Sequence, residues 1–476
     1  MADARVQVLR PHRLEKAGLF AAVATAGVVA TFAGLSAGSG SKLGIVLPMA
    51  LVVGVGLGLL ALTRFKTYIV IMLLVRASLD LTKVSGSLSG AQTADPAARA
   101  LDPTSLLAVL FLFAAAFWLA AQHRAGRLVP GSTPRRALIA FAAAGILSVV
   151  GSLHSYGPSL LEWTRILAAV LMFIVLEQLM ADPAELRRLL VAVYLSAALP
   201  LLVTAAGFLL GSPRQEIKGE VVRAIGPFNQ SNAFGRYLML LTIFGVAIYP
   251  SLERRHRRLL GVLLAGSALG LMMTYTLSAI IATVVGLLVV GLVSSKRTFA
   301  TVLVVAVAAL LLVPQLSSRF TELTSSDPLA SSSPNTLDWR FGHWTQVLPL
   351  ANSNPVTGIG LANISRSTDI EAQSHNDFVR VYVETGVIGL LAYLSVLIAL
   401  LSLGMRALKL SSPKSFDRSV AAGFLGCAVA FVAVSLVANV ISNVVFLWYF
   451  LAFAAAVSSV VRRNLPVRFS RPVHAG

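Results

Sequence analysis

Apolar runs of roughly 17 to 25 residues, each long enough to cross a ~30 Å hydrocarbon core as a helix, recur along nearly the whole chain. Repetition at that length leaves few folds open. Backbone polar groups in lipid must be satisfied internally, so the choice lies between helices and a closed barrel. A barrel needs alternating strands of about ten residues, a pattern absent here. Composition agrees: 57% of the 476 residues are hydrophobic, 12% are charged, and the mean hydropathy is +0.81, far from the soluble range. The expected fold is an all-α polytopic integral membrane protein with about 12–14 transmembrane helices.

Spans are expected near 17–36, 44–63, 66–80, 103–121, 136–151, 158–179, 187–211, 233–250, 257–275, 277–293, 298–314, 379–403, 419–440 and 442–461. The first run follows Arg5, Arg10, Arg13 and Lys16 in the manner of a signal peptide, but no separate soluble domain succeeds it, so it reads as a span. With the N-terminus inside, most of the 39 Lys and Arg fall in inner segments, which places both termini in the cytoplasm and the long loop outside. The net charge of +19 does not point to nucleic acid, because the basic residues sit in short clusters between apolar runs. Three segments follow: an N-terminal transmembrane bundle over 1–314, an extracytoplasmic loop with surface helices over 315–378, and C-terminal transmembrane helices with a cytoplasmic tail over 379–476. Within the loop, Ser- and Pro-rich 322–337 suggests a mobile lid or disorder, and WRFGHWTQVL an amphipathic surface helix. The single cysteine, Cys427, has no partner for an internal disulfide and reads as a packed small residue.

The remaining charged residues are few and gather where water meets lipid. Inside a span such a group costs at least about 2.5 kcal/mol unless paired or wetted, so each needs a reason. Glu162 and Arg165 stand three apart on one helix face; they either lock that helix to a neighbour or line a polar cavity. Arg76 and Asp80 present the same choice. Arg223 introduces AIGPFNQSNAFGRYL, in which Pro227 stops any helix arriving from the left. Asn229 to Asn232 then offer caps, and Arg236 lies about a turn inside the next span. These arginines either snorkel to headgroups or form a guanidinium cluster, whose fork geometry suits phosphate oxygens. Between Arg340 and Leu390 come Trp344, Gly358 and Gly360, then His375-Asn376-Asp377, with Arg380 and Glu384 on the opening turns of a helix. His375 is suited to moving a proton near neutral pH, while Asp377 also suits a helix N-terminus. GIGLAN lacks the lysine and the strand of a nucleotide loop and reads as a tight turn. The histidines are scattered without zinc spacing and there is no acidic cluster, so no metal or cofactor is expected.

Four of these pieces occur together: Arg223 with AIGPFNQSNAFGRYL, RFGHW from Arg340, NPVTGIG from Asn354, and SHNDFVRVYVETGVIG from Ser374. In order and placement they resemble the bacterial O-antigen ligases and Wzy-type polysaccharide polymerases, over roughly residues 220–400. The resemblance implies a GT-C-like fold acting on the outer face of the inner membrane, without nucleotide sugar or metal. It also implies transfer of glycan from a polyprenyl-diphosphate (undecaprenyl-diphosphate-type) donor to a hydroxyl. His375 would then be the catalytic histidine and Arg223 a donor diphosphate contact. Many relatives carry a Ser-Arg pair where this chain has Ser278-Ala279, so either Arg236, Arg165 or Arg380 supplies that charge, Arg236 being favoured, or the donor is held differently; Arg340 is a further candidate for the donor diphosphate. Asn376, Asp377, Glu384, Glu162, Asn229, Asn232 and Trp344 would be supporting or acceptor-side residues.

The partners implied are the lipid-linked donor, a glycan or lipid-linked glycan acceptor, membrane lipids and other polysaccharide-assembly proteins. Polymerase is the favoured reading; ligation to lipid A core and transfer to a protein hydroxyl share the motifs. A transporter would instead show broken helices in two related halves, and the halves of this chain do not match.

Overall fold

The computed structural model describes residues 42–82, 103–152, 156–218, 221–312, 337–367 and 374–465. The expected first span and nearly all of 322–337 lie outside them. The helices are α1 (Lys42–Thr63), α2 (Phe65–Arg76), α3 (Pro103–Arg124), α4 (Thr133–Val150), α5 (Tyr156–Leu179), α6 (Pro183–Leu195), α7 (Ala198–Leu209) and α8 (Ser231–Ile248). They continue as α9 (Arg254–Met273), α10 (Leu277–Ser294), α11 (Lys296–Leu312), α12 (Leu337–Val347), α13 (Ile364–Ser367), α14 (Asp377–Leu410), α15 (Phe416–Ser435) and α16 (Val444–Asn464). Among the described residues nine helices are long and apolar enough to cross a membrane, and the protein is multi-pass.

The chain divides into two compact units. One holds Met1–Met72 and Thr82–Ala125; there α1 packs on α3, and Phe65 stacks on Trp118 with ring centroids 4.6 Å apart. The other, Leu73–Leu81 with Gly126–Gly476, carries every candidate residue named above. Its centre is α16, whose VFLWYFLAFAAAV is apolar on all sides and therefore has no face to give to water. Phe244 of α8 stacks on Phe453 at 3.9 Å and Phe431 of α15 on Phe450 at 4.6 Å, while α5 runs along another side. Where α10 meets α15 the backbones nearly touch: a Cβ on Gly286 would lie 2.8 Å from the carbonyl oxygen of Gly426.

Helix α14, which packs on α4 and α15, is broken at Gly386, where φ is +66° and ψ −167°. The break would orphan the carbonyls of Val383 and Glu384 and the amides of Val387 and Ile388, a costly loss away from water. The loop at 355–360 supplies all four partners. Ile359 and Gly360 donate to Val383 and Glu384 at 3.0 and 3.1 Å, and Pro355 and Val356 accept from Val387 and Ile388 at 2.9 and 3.4 Å. The Ser148 hydroxyl adds a second bond to the Glu384 carbonyl at 2.6 Å. Contact is backbone against backbone, since a Cβ on Gly358 would stand 2.3 Å from the Glu384 carbonyl carbon and one on Gly386 2.3 Å from the Val356 oxygen. The glycines of GIG thus clip the loop onto α14. Gly386→Ala is expected to cost about 1–3 kcal/mol in backbone strain, with steric overlap added, and so to lower the thermal midpoint of the purified protein. An unchanged midpoint would contradict the clip.

Helices lie at the expected spans from 44–63 onward, but those at 44–63, 66–80, 257–275 and 298–314 are not among the nine long and apolar enough to cross, and two further spans depart in detail. Span 187–211 is divided at Ser196-Ala197, because Pro200 has no N–H to offer the Ser196 carbonyl. Span 419–440 stops at Ser435, and 436–443 is a non-helical connection. Among the described residues one short hairpin interrupts the otherwise all-α fold. Gln215–Lys218 (β1) and Val221–Ala224 (β2) form an antiparallel hairpin with Glu216 opposite Arg223, β-branched residues favouring the extended chain. Pro227 consequently sits in the turn after a strand, with no helix to stop. The helix expected over WRFGHWTQVL is α12.

Candidate functional site

His375 lies between two fixed residues. Before it, the Trp344 indole N–H donates to the Ser374 carbonyl at 2.7 Å, and the Ser374 hydroxyl donates to Asn439 Oδ1 at 3.4 Å. After it, Asn376 caps α14, its side-chain oxygen accepting from the N–H groups of Phe378 and Val379 at 2.8 and 3.1 Å. Between these anchors His375 takes φ +48°, rare for a residue with a side chain, and stays half-buried. Strain held in place from both sides marks a side chain whose direction matters.

The helix that His375 introduces carries a buried chain of charges. Arg380, 2% exposed, donates through Nε to Glu384 at 3.0 Å, through Nη2 to Glu162 at 3.1 Å, and through Nη1 to the Ser442 hydroxyl. Ser442 donates onward to Glu162 at 2.5 Å, and half-exposed Arg165 reaches the other Glu162 oxygen at 2.9 Å. The Glu162–Arg165 pair therefore belongs to a lock, and the neighbour it holds is α14. Such a cluster adds little net stability but fixes geometry, because losing one member leaves the others uncompensated. Asp377 is fully buried as well. Its oxygens accept from the Val440 N–H at 2.9 and 3.1 Å, from the Ile441 N–H at 3.4 Å and from the Tyr393 hydroxyl at 3.4 Å. It caps the 436–443 connection across from its own helix.

Asp377 also stands within electrostatic reach of Arg380 and of Arg236, and Arg236 within reach of Arg340. Arg236, 8% exposed on α8, has no hydrogen-bond partner for its Nε among the described residues, and neither has Arg340 for its own. Partial burial lowers the Arg340 pKa below its ordinary value, but a guanidinium stays charged. Arg236 and Arg340 are thus two like charges within reach of each other, each with an Nε–H unengaged among the described residues.

The second group lies at the start of α8. Arg223 is buried in β2, Asn229 is exposed on the following loop, and Asn232 accepts from the Thr276 hydroxyl at 3.4 Å. Phe228 stacks on Phe234 at 5.2 Å and fixes the loop between them. Asn232 and Arg236 are four apart on α8 and share a face, so this group and the buried charges are joined along one helix. Sequence reading misses Asn439, Ser442 and Tyr393. The available signal was the polar Asn439, Ser442 and Asn443 inside an apolar run, which reads equally well as the seam between two spans.

The described residues form a polytopic helical membrane protein in which His375 directly precedes a helix that carries a buried cluster of charges. A family model described as O-antigen ligase matches residues 260–394, which include Arg340, Trp344, the glycine clip and His375 through Glu384. Over that stretch the chain is similar to the O-antigen ligase family. No curated protein matches it significantly.

Proposed function

We propose that the protein is an extracytoplasmic glycosyltransferase of GT-C-like architecture, lying in the bacterial inner membrane with both termini cytoplasmic. It transfers glycan from a polyprenyl-diphosphate donor to a sugar hydroxyl, most simply as a Wzy-type polymerase. The observation that carries this reading is one shared carboxylate. Asp377 is two residues from His375 and within electrostatic reach of Arg236, which supports reading a proton acceptor and a buried cation as parts of one site. The acceptor oxygen attacks the anomeric carbon and gives its proton to His375. The bond to the diphosphate breaks, and the departing charge falls to Arg236, Arg340 and Arg223. Arg380 and Glu384, bound to each other and to Glu162, position the helix rather than touch substrate.

Arg236 fills the role left open at Ala279, a fully buried position. Arg236→Gln is expected to raise KM for the lipid-linked donor about 10- to 100-fold, the scale of a lost charged hydrogen bond, with little change toward the acceptor. Arg223→Gln should act in the same direction. Equal losses toward donor and acceptor would make these arginines structural. Ligation is the second reading, favoured by the description of the matching family; it differs only in acceptor.

A further inference from the structure

The hairpin that carries Arg223 turns an apolar side outward. Ile217 and Val222 are cross-strand partners, 79% and 47% exposed, and Leu209 and Leu210 at the end of α7 are 86% and 81% exposed. Arg223, next to Val222 and so on the other side of the strand, is 3% exposed. Apolar outward and guanidinium inward is the reverse of what a hairpin in water shows.

The hairpin is also tied to the ends of two membrane helices. The Ser212 N–H bonds the Gly207 carbonyl at 2.9 Å, and Pro213 packs so closely that a Cβ on Gly207 would meet its Cα at 3.1 Å. Arg214 donates to the Gly226 carbonyl at 2.9 Å, and Glu216 accepts from the Ser231 N–H, at the start of α8, at 3.2 Å. Its apolar side thus lies just beyond the end of a helix stretch long and apolar enough to cross a membrane, Pro183–Leu209.

We propose that strands β1 and β2 are seated in the headgroup layer of the bilayer, with Ile217 and Val222 toward lipid, and that this seating sets the depth of Arg223. The headgroup layer fits and the hydrocarbon does not, because a two-stranded hairpin has open edges whose N–H and C=O groups need water. The consequence for catalysis rests on the functional reading above: a diphosphate belongs at that depth.

Cys427 is buried, so single nitroxide labels can be placed at Ile217→Cys and Val222→Cys in protein reconstituted into phosphatidylethanolamine and phosphatidylglycerol vesicles. Collision rates with oxygen and with a water-soluble nickel chelate, scaled against lipids labelled at known depths, then give the depth of each label. Both labels should report the phosphate level. Nickel accessibility equal to that of a label in bulk water would overturn the proposal. So would dipolar broadening between labels, which would mean that a second copy covers the hairpin. Joint Ile217→Ser and Val222→Ser should raise donor KM several-fold with kcat unchanged, and an unchanged KM would overturn the link to Arg223. The depth reading needs no turnover, so a protein that transfers no glycan would sink the functional reading and leave the seating intact.

Discussion

His375→Ala is expected to reduce glycan transfer by about 10²- to 10⁴-fold, the range over which a positioned general base contributes, while the protein remains folded and inserted. The fold should survive because the anchors around the residue do not pass through its side chain. Trp344 holds the Ser374 carbonyl, and Asn376 holds the first amides of α14. Alanine keeps a Cβ, so the strain of φ +48° persists in the variant and changes the midpoint little. Thermal midpoint and turnover should therefore separate, the first nearly constant and the second collapsed. Full turnover by the variant would remove the histidine from the mechanism. Parallel loss of both would make it a structural residue.

Arg380→Ala should have the opposite signature, a loss of about 3–5 kcal/mol in stability, because Glu162 and Glu384 would stay buried without their shared cation. Arg380→Lys is expected to recover only part of this. A lysine supplies the charge but not the planar fork that meets Glu384, Glu162 and Ser442 at once. Thermal unfolding in a fixed detergent measures the effect, and a Glu162→Gln background should shrink it, since one of the stranded carboxylates is then neutral. If Arg380→Ala kept its midpoint and instead lost donor affinity, the arginine would be a substrate contact and not a brace.

Much of this organisation is legible in the sequence, and the gaps have physical causes. Helix positions follow from uninterrupted apolar length, so α4, α5, α10 and α16 could be placed from composition alone. The motif around His375 was visible as a cluster of polar residues leading into an apolar helix. The lock between Glu162 and Arg380 was not, because nothing local to α5 reveals which distant helix will supply the third charge. Asp377 shows the same limit: it has the composition of a helix N-terminus, but its oxygens are spent on amides at Val440 and Ile441. The hairpin escaped because its strands are only four residues each, too short for alternation to stand out among longer apolar runs. Gly358 and Gly386 read separately as a turn and a helix interior, and only packing shows that each leaves room for the other's backbone.

The most direct test of convergence between His375 and the arginines is incubation of the purified protein, with chelator present, with a polyprenyl-diphosphate oligosaccharide, following products by size. The account predicts donor consumption and a ladder of lengthened lipid-linked glycans, both absent with His375→Ala; single additions to an acceptor would instead identify a ligase. Donor left intact by the native protein, or consumed equally by the alanine variant, would contradict the account.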